Sequence, residues 1–309
     1  MTTLSSSLSP RIEQLRLRDL MLLEHIEAEG SLRKVAEALH VTQPAVTQAL
    51  QGLERAFDVA LVERGRRGVL LTAAGRAALA RLRTARCEVT AACEAAQAPQ
   101  RPLLRLGSSP MAALEVMPKA LTRLRRALPE GRVILTETSV PRLWAALAEG
   151  ELDAIASRLP SLGPGERLPA GVAHDAVGSE RVVVVAAQAH PLARRKPSVE
   201  QLAEQAWVLP PPGSLAVVML DEWFSKAGLA PPQVCVTSDS FLTNLRLAAG
   251  GELLTVAPET AVRSQATALK LRVIASPWPH RPGELVFAYR STSLVNPLFA
   301  TLRACFVSL

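Results

Sequence analysis

Gln43, Thr47, Gln48 and Gln51 recur at spacings of three and four residues, so a helix running through them carries all four on one side. Their chemistry is hydrogen bonding without charge. A glutamine amide can pair two hydrogen bonds with adenine in the major groove. A threonine offers a hydroxyl to a base or a phosphate and a methyl to thymine. The alternative is an ordinary solvated helix face, and the neighbouring residues weigh between the two.

Those residues lie within Ser31–Arg55, SLRKVAEALHVTQPAVTQALQGLER. Leu32, Val35, Ala36 and Leu39 form a first short helical pattern, apolar at i, i+3, i+4 and i+7, with Ser31 placed to cap its first turn. His40-Val41 breaks it. Thr42 caps a second pattern, and Pro44 falls near the first helical position, where a missing N–H costs nothing. Val46, Ala49, Leu50 and Leu53 point inward from that second helix. Two short helices across so tight a break pack at a steep angle, the helix-turn-helix arrangement. Next come two short apolar runs, Asp58–Val62 and Val69–Leu71, around a glycine- and arginine-rich tip. They read as a small hairpin, or wing. Arg64, Arg66 and Arg67 on it suit phosphate oxygens or a minor groove.

From about Leu17 to Leu79 the chain resembles the winged helix-turn-helix of LysR-type transcriptional regulators. The resemblance is carried by LRDLMLLEHIEAEGSLRKVAEALHVTQPAVTQALQGLE, then VER, then LLTAAG. Asp58 stands where the family has glycine after the recognition helix; Asp tolerates the left-handed conformation better than most residues. Val62 stands where a phenylalanine anchors the wing, which should loosen wing packing. The reading places Gln43, Pro44, Thr47 and Gln48 against bases. Ser31, Arg33, Lys34, Thr42, Arg64, Arg66 and Arg67 hold the phosphate backbone of double-stranded DNA.

Composition agrees without deciding. The 309 residues suit two or three domains, and 49% are hydrophobic, enough for real cores. Net charge is +7, which attracts a polyanion. The first 98 residues nevertheless hold thirteen Lys/Arg against eleven Asp/Glu, so the case for DNA rests on placement. Cys87, Cys93, Cys235 and Cys305 match no zinc spacing and read as reduced thiols of a cytoplasmic protein, with a redox sensor as the sharper alternative. No catalytic motif of the GxSxG, HExxH, GxGxxG or P-loop type occurs, and the five histidines lack metal-ligand spacing. No enzyme, cofactor or metal is therefore expected. The polar start MTTLSSSLSPR lacks a signal core, and no apolar stretch is long enough to span a membrane.

The winged helix-turn-helix occupies 11–72, with a first helix from Ile12 to Ala28. A long helical pattern, 73–98, carries Leu82, Ala85, Val89, Ala92 and Ala96 as a seam for a partner helix. In the family it resembles, this linker helix pairs two subunits, so a homodimer or homotetramer is expected. Residues 99–102 form a hinge. Strand–helix alternation then fills 103–309, an α/β effector domain with a largely parallel sheet. Two lobes like those of periplasmic binding proteins are expected from the resemblance, lobe one at 103–160 and 269–309, lobe two at 161–268. A solute-binding transport protein matches this later part, but it would need a secretion signal and no winged helix.

In open α/β sheets, ligands bind beyond the carboxyl ends of strands, near helix N-termini. Ser108, Ser109, Ser139 and Arg158 follow the first three strands of this region; Ser214 and Ser240 open later helices. Small hydroxyls and one arginine suit a small anionic effector held between the lobes. Each serine alone reads equally as a helix cap. RNA polymerase is a further partner open to such a regulator, and no membrane partner is expected.

Overall fold

The computed structural model describes residue 16 and residues 21–65, 68–97, 103–160, 168–169, 171–276, 278, 283–295 and 297–307. Contacts divide the chain into two compact units, Met1–Leu103 with Ala145–Asp153, and Leu104–Trp144 with Ala154–Leu309.

In the first unit, α1 (Leu22–Glu29) buries Leu22, Leu23 and Ile26 and stops at Gly30. That glycine sits at φ 62°, and its N–H returns to the Ile26 carbonyl. Leu15 and Leu20, expected on the same helix, lie outside the described residues. Next come α2 (Leu32–Ala38) and α3 (Gln43–Phe57), then β1 (Val62–Gly65) paired antiparallel with β2 (Gly68–Leu71). Val35, Val46, Leu50 and Leu53 meet Leu61, Leu71, Leu79 and Leu82 in one core. Leu79 and Leu82 belong to α4 (Ala73–Gln97), whose first turns thereby complete this unit. The rest of the expected seam, Ala85, Val89, Ala92 and Ala96, is exposed. One expectation is corrected: Ser31 occupies the N-cap position of α2 in extended conformation, but its side chain makes no capping hydrogen bond.

The second unit holds two five-stranded sheets. The first has the order β4 (Arg132–Glu137), β3 (Leu103–Ser108), β5 (Ala154–Arg158), β12 (Gly283–Arg290), β6 (Val172–Glu180). The second has the order β11 (Leu271–Val273), β7 (Val182–Ala187), β10 (Leu253–Pro258), β8 (Ala206–Leu209), β9 (Gln233–Thr237). β3 runs parallel to β5, and β8 parallel to both β10 and β9. β12 is antiparallel to both its neighbours, as is β7 to its own. Helices α5 (Val116–Ala127) and α11 (Pro297–Val307) cover the first sheet with Met117, Leu124, Phe299 and Phe306. On the second sheet, α8 (Leu215–Lys226) and α9 (Phe241–Ala249) supply Leu220, Phe224, Leu245 and Ala248 to the two cores. Between the strands run α6 (Val140–Glu149), α7 (Val199–Ala203) and α10 (Glu259–Gln265).

The topology redraws the expected lobes. Val172–Glu180, assigned to lobe two, pairs with β12 in the first sheet, and Leu271–Val273, assigned to lobe one, pairs with β7 in the second. The chain leaves the first sheet at Arg181 and returns between β11 and β12. Both sheets are mixed rather than largely parallel, because each crossover strand enters antiparallel.

Candidate nucleic-acid interface and effector cleft

Local chemistry fixes the ends of α3. The Thr42 hydroxyl accepts from the Ala45 N–H at 3.4 Å, and Pro44 fills the first turn. At the other end Asp58 adopts φ 55°, and its N–H closes on the Glu54 carbonyl. Gln43, Pro44, Gln48 and Gln51 are exposed and Thr47 is half-buried. These five line one surface hollow of about 370 Å³. The structure thus brings together all four residues expected against bases, plus Gln51. Thr47 differs in one detail. Its hydroxyl donates to the Gln43 carbonyl at 3.1 Å, so toward a base it presents a methyl and an acceptor oxygen.

Around α3, Arg33 and Lys34 are exposed on the first turn of α2. Arg33 stands 3.8 Å from Glu37. Gly68 opens β2 at φ 125°, where a Cβ would meet the Gly30 carbonyl oxygen at 2.2 Å; Val69 N–H donates to that same oxygen. Only glycine lets the wing strand dock on the turn after α1. Arg64 lies in β1, while Arg66 and Arg67 fall outside the described residues.

Glu54 was missed by sequence reasoning. From the last turns of α3 its carboxylate accepts the Leu61 N–H at 2.9 Å and the Val62 N–H at 3.4 Å, tying the wing to the recognition helix. The sequence offered one sign: a carboxylate one turn before the helix stops, shortly ahead of a strand start whose amides need an acceptor.

In the second unit, Ser108, Ser109, Ser139 and Arg158 do cluster at the carboxyl ends of the adjacent strands β3, β4 and β5. Ser108 and Ser109 are buried. The Ser108 hydroxyl donates to the Ser109 carbonyl, and the Ser109 hydroxyl accepts from Ala112 N–H at 3.3 Å. Ser139 is exposed at the start of α6. Arg158 is half-buried, and that burial pushes its guanidinium below the usual arginine value, as expected of a cation short of solvent. Its stem crosses Gly283, where a Cβ would meet Arg158 Cδ at 3.1 Å.

Ser214 and Ser240 follow the neighbouring strands β8 and β9 in the second sheet. Each accepts a hydrogen bond from the first turn of its helix, from Val217 and Thr243 respectively, as a cap does. Two groups were not foreseen. Met111, after β3, packs against the cores of both sheets. Asn244 of α9 is fully buried; its Nδ2 donates to the Ser238 carbonyl at 3.0 Å, and its Oδ1 has no partner among the described residues.

Comparison with known proteins places most of the chain. Residues 17–76 match the family model "Bacterial regulatory helix-turn-helix protein, lysR family", and residues 97–308 match "LysR substrate binding domain". A "Probable hydrogen peroxide-inducible genes activator" of Mycobacterium leprae (strain TN) is 31% identical over 271 residues, covering 86% of this chain and 85% of that protein. Among solved structures, full-length OxyR from Pseudomonas aeruginosa aligns with a TM-score of 0.59 at 24% identity, covering 95% and 96% of the two chains. Full-length CbnR in complex with its target DNA aligns at 0.58 and 19% identity, covering 94% and 99%.

Proposed function

Because the chain belongs to the LysR family of DNA-binding transcriptional regulators, we propose a division of labour among its residues. The α3 face reads the operator through Gln43, Pro44, Thr47 and Gln48. Ser31, Arg33, Lys34, Thr42, Arg64, Arg66 and Arg67 hold phosphates on either side. The observation that carries this reading is the shared hollow on α3, lined only by uncharged hydrogen-bonding and apolar side chains. Such a surface has more to offer base edges than phosphates.

The second unit binds a small anionic effector near Ser108, Ser109, Ser139 and Arg158, with Ser214 and Ser240 from the other sheet. Support comes from the half-buried guanidinium of Arg158 at the carboxyl ends of three adjacent strands. The protein works in the cytoplasm as a homodimer or homotetramer. The exposed run Ala85, Val89, Ala92 and Ala96 on α4 is the pairing seam, since one helix cannot bury it alone. Two recognition helices one turn of DNA apart then read a palindrome. RNA polymerase is the downstream partner of the bound complex. A thiol peroxide sensor, suggested by the M. leprae relative, gains nothing from Cys305, whose burial pushes the thiol away from the reactive thiolate.

The test is a gel-shift on the DNA upstream of the protein's own gene, run against random duplex over a salt series. Gln48→Ala should cut discrimination between the two, by about tenfold for 1–2 kcal/mol of base contact. Arg66→Ala should weaken both and flatten the salt slope. Equal loss on both duplexes for Gln48→Ala would refute the base-reading assignment.

A further inference from the structure

Charge in the second lobe, residues 182–276, is nearly balanced, with eight Lys/Arg against seven Asp/Glu. It is not evenly placed. Arg194, Arg195 and Lys196 are consecutive and exposed on the turns that follow β7. Lys270 and Arg272, also exposed, lie at the start of β11, the edge strand beside β7. Backbone bonds hold the two groups at one corner of the sheet. Gln188 N–H donates to the Lys270 carbonyl at 2.8 Å, and Arg272 pairs with Ala186. From Gln188 the chain folds through successive turns, His190 N–H to Ala187, Ala193 N–H to His190 and Arg195 N–H to Leu192. None of the five cations makes a side-chain ion pair or hydrogen bond among the described residues. The acids nearest in sequence to the Arg194–Lys196 run are Glu200 on α7 and Glu204 just past its end. Glu200 is engaged by the Ser198 hydroxyl at the start of that helix.

We infer that this corner, Arg194–Lys196 with Lys270 and Arg272, is a second DNA contact that grips the phosphate backbone without reading sequence. Five exposed cations with no mutual acids suit a polyanion, whose affinity needs charge and no shape. An acidic protein surface is the less fitting occupant. Protein interfaces draw their affinity from buried aromatic and apolar anchors, and among the described residues Val273 is the one large apolar side chain exposed in the same strand as Arg272. The partner is also always near. A chain already tethered to DNA through its winged helix offers the corner phosphates at an effective concentration on the order of millimolar, so weak contacts count.

The experiment uses the full chain and random-sequence duplexes of about 15 and about 60 base pairs, so that only the longer extends well beyond the winged helix's own footprint. A triple Arg194→Ala, Arg195→Ala, Lys196→Ala variant is compared with the unaltered protein across a salt series. Each lost phosphate contact removes about 0.9 from the log–log salt slope, so the slope on the long duplex should fall by about 2–3 and stay unchanged on the short one. The Lys-substituted variant Arg194→Lys, Arg195→Lys should keep the slope, since charge alone is used. Trp207, Trp223 and Trp278 in the same lobe's core report whether the variants are folded. An unchanged slope on the long duplex overturns the inference, as does equal loss on both lengths. If the slope holds while reporter transcription falls, the corner meets an acidic protein and the DNA contact is wrong.

Discussion

Gly75, in the first turn of α4, is the residue at which the winged unit is least able to yield. A Cβ there would meet the Leu61 carbonyl oxygen at 2.0 Å and the Leu61 carbonyl carbon at 3.0 Å. The oxygen cannot simply move aside. It accepts Thr72 N–H at 3.0 Å, while the Thr72 hydroxyl donates to the Ala60 carbonyl and accepts Gly75 N–H, both at 2.9 Å. From the other side, Glu54 holds the Leu61 and Val62 amides. Relieving the overlap means a shift of about 1 Å and the loss of one or two of these bonds. Overpacking costs about 1–3 kcal/mol and each bond about 1, so Gly75→Ala should lose roughly 2–5 kcal/mol. For a unit of 112 residues this lowers the melting temperature by roughly 8–20 °C. Gly52 is the control. It sits inside α3 with nothing within 4 Å of its would-be Cβ, so Gly52→Ala should gain up to about 1 kcal/mol of helix propensity. The two units can be followed separately, because all four tryptophans, Trp144, Trp207, Trp223 and Trp278, lie in the second. Circular dichroism reports helical melting of both units; fluorescence reports only the second. If Gly75→Ala melts within about 1 kcal/mol of wild type, or moves the fluorescence transition instead, the interlock is wrong.

Two further predictions concern the second unit. Arg303 of α11 meets both carboxylate oxygens of Asp175 on β6 at 2.6 Å and lies over the Tyr289 ring, and the guanidinium holds the Asp175 carboxyl below the usual carboxylate range. That stability is present above the ordinary carboxylate pKa of about 4 and is lost as pH falls below it, so Asp175→Asn should cost about 1 kcal/mol near neutrality, discounted for the exposure of Arg303, and flatten the acid limb of tryptophan-monitored unfolding. His190 is buried, its Nδ1 accepts Leu192 N–H at 3.2 Å, and burial pushes its pKa below the ordinary value. Its contribution is complete above about pH 6.5 and erodes as pH falls toward the lowered folded value, so His190→Gln should remove a slope between pH 7.5 and 5, whereas parallel pH curves for the two proteins would show that His190 titrates freely.

What was legible in the sequence was local. Thr42, Pro44, the apolar spacing of α3 and the left-handed Asp58 all act within a few residues, and each stands in the structure as its chemistry requires. Sheet membership was not legible. The polar alternation of VAHDAVGSE says strand, but its sheet is set by β12, more than a hundred residues onward, and no local period carries that pairing. Among the candidate effector residues, Ser214 and Ser240 looked like caps because they are caps, so their hydroxyls give no independent sign of a ligand. Asn244 and Met111 gave no pattern at all: one buried amide on an apolar helix face and one methionine in a loop acquire meaning only from what folds over them.

The charge ledger of the first unit bears on how the protein holds DNA. Arg83 stands against Glu24, Glu27 and Glu149, and Arg86 against Glu24, so two cations of α4 are engaged within the unit itself. Arg33 has Glu37 beside it. Among the described residues, Lys34, Arg55 and Arg81 are exposed and make no ion pair, while the proposed reading face of α3 is uncharged. At about 0.9 of salt slope per neutralised phosphate, one such unit binds duplex weakly. Firm binding near physiological salt therefore asks for more than one unit on the same DNA. The proposed dimerisation through α4 would then serve affinity as much as symmetry. A variant with Val89→Glu on the exposed seam should lose operator affinity far beyond any local stability change, with its binding curve shifting to higher protein concentration in step with the loss of dimer seen by sedimentation.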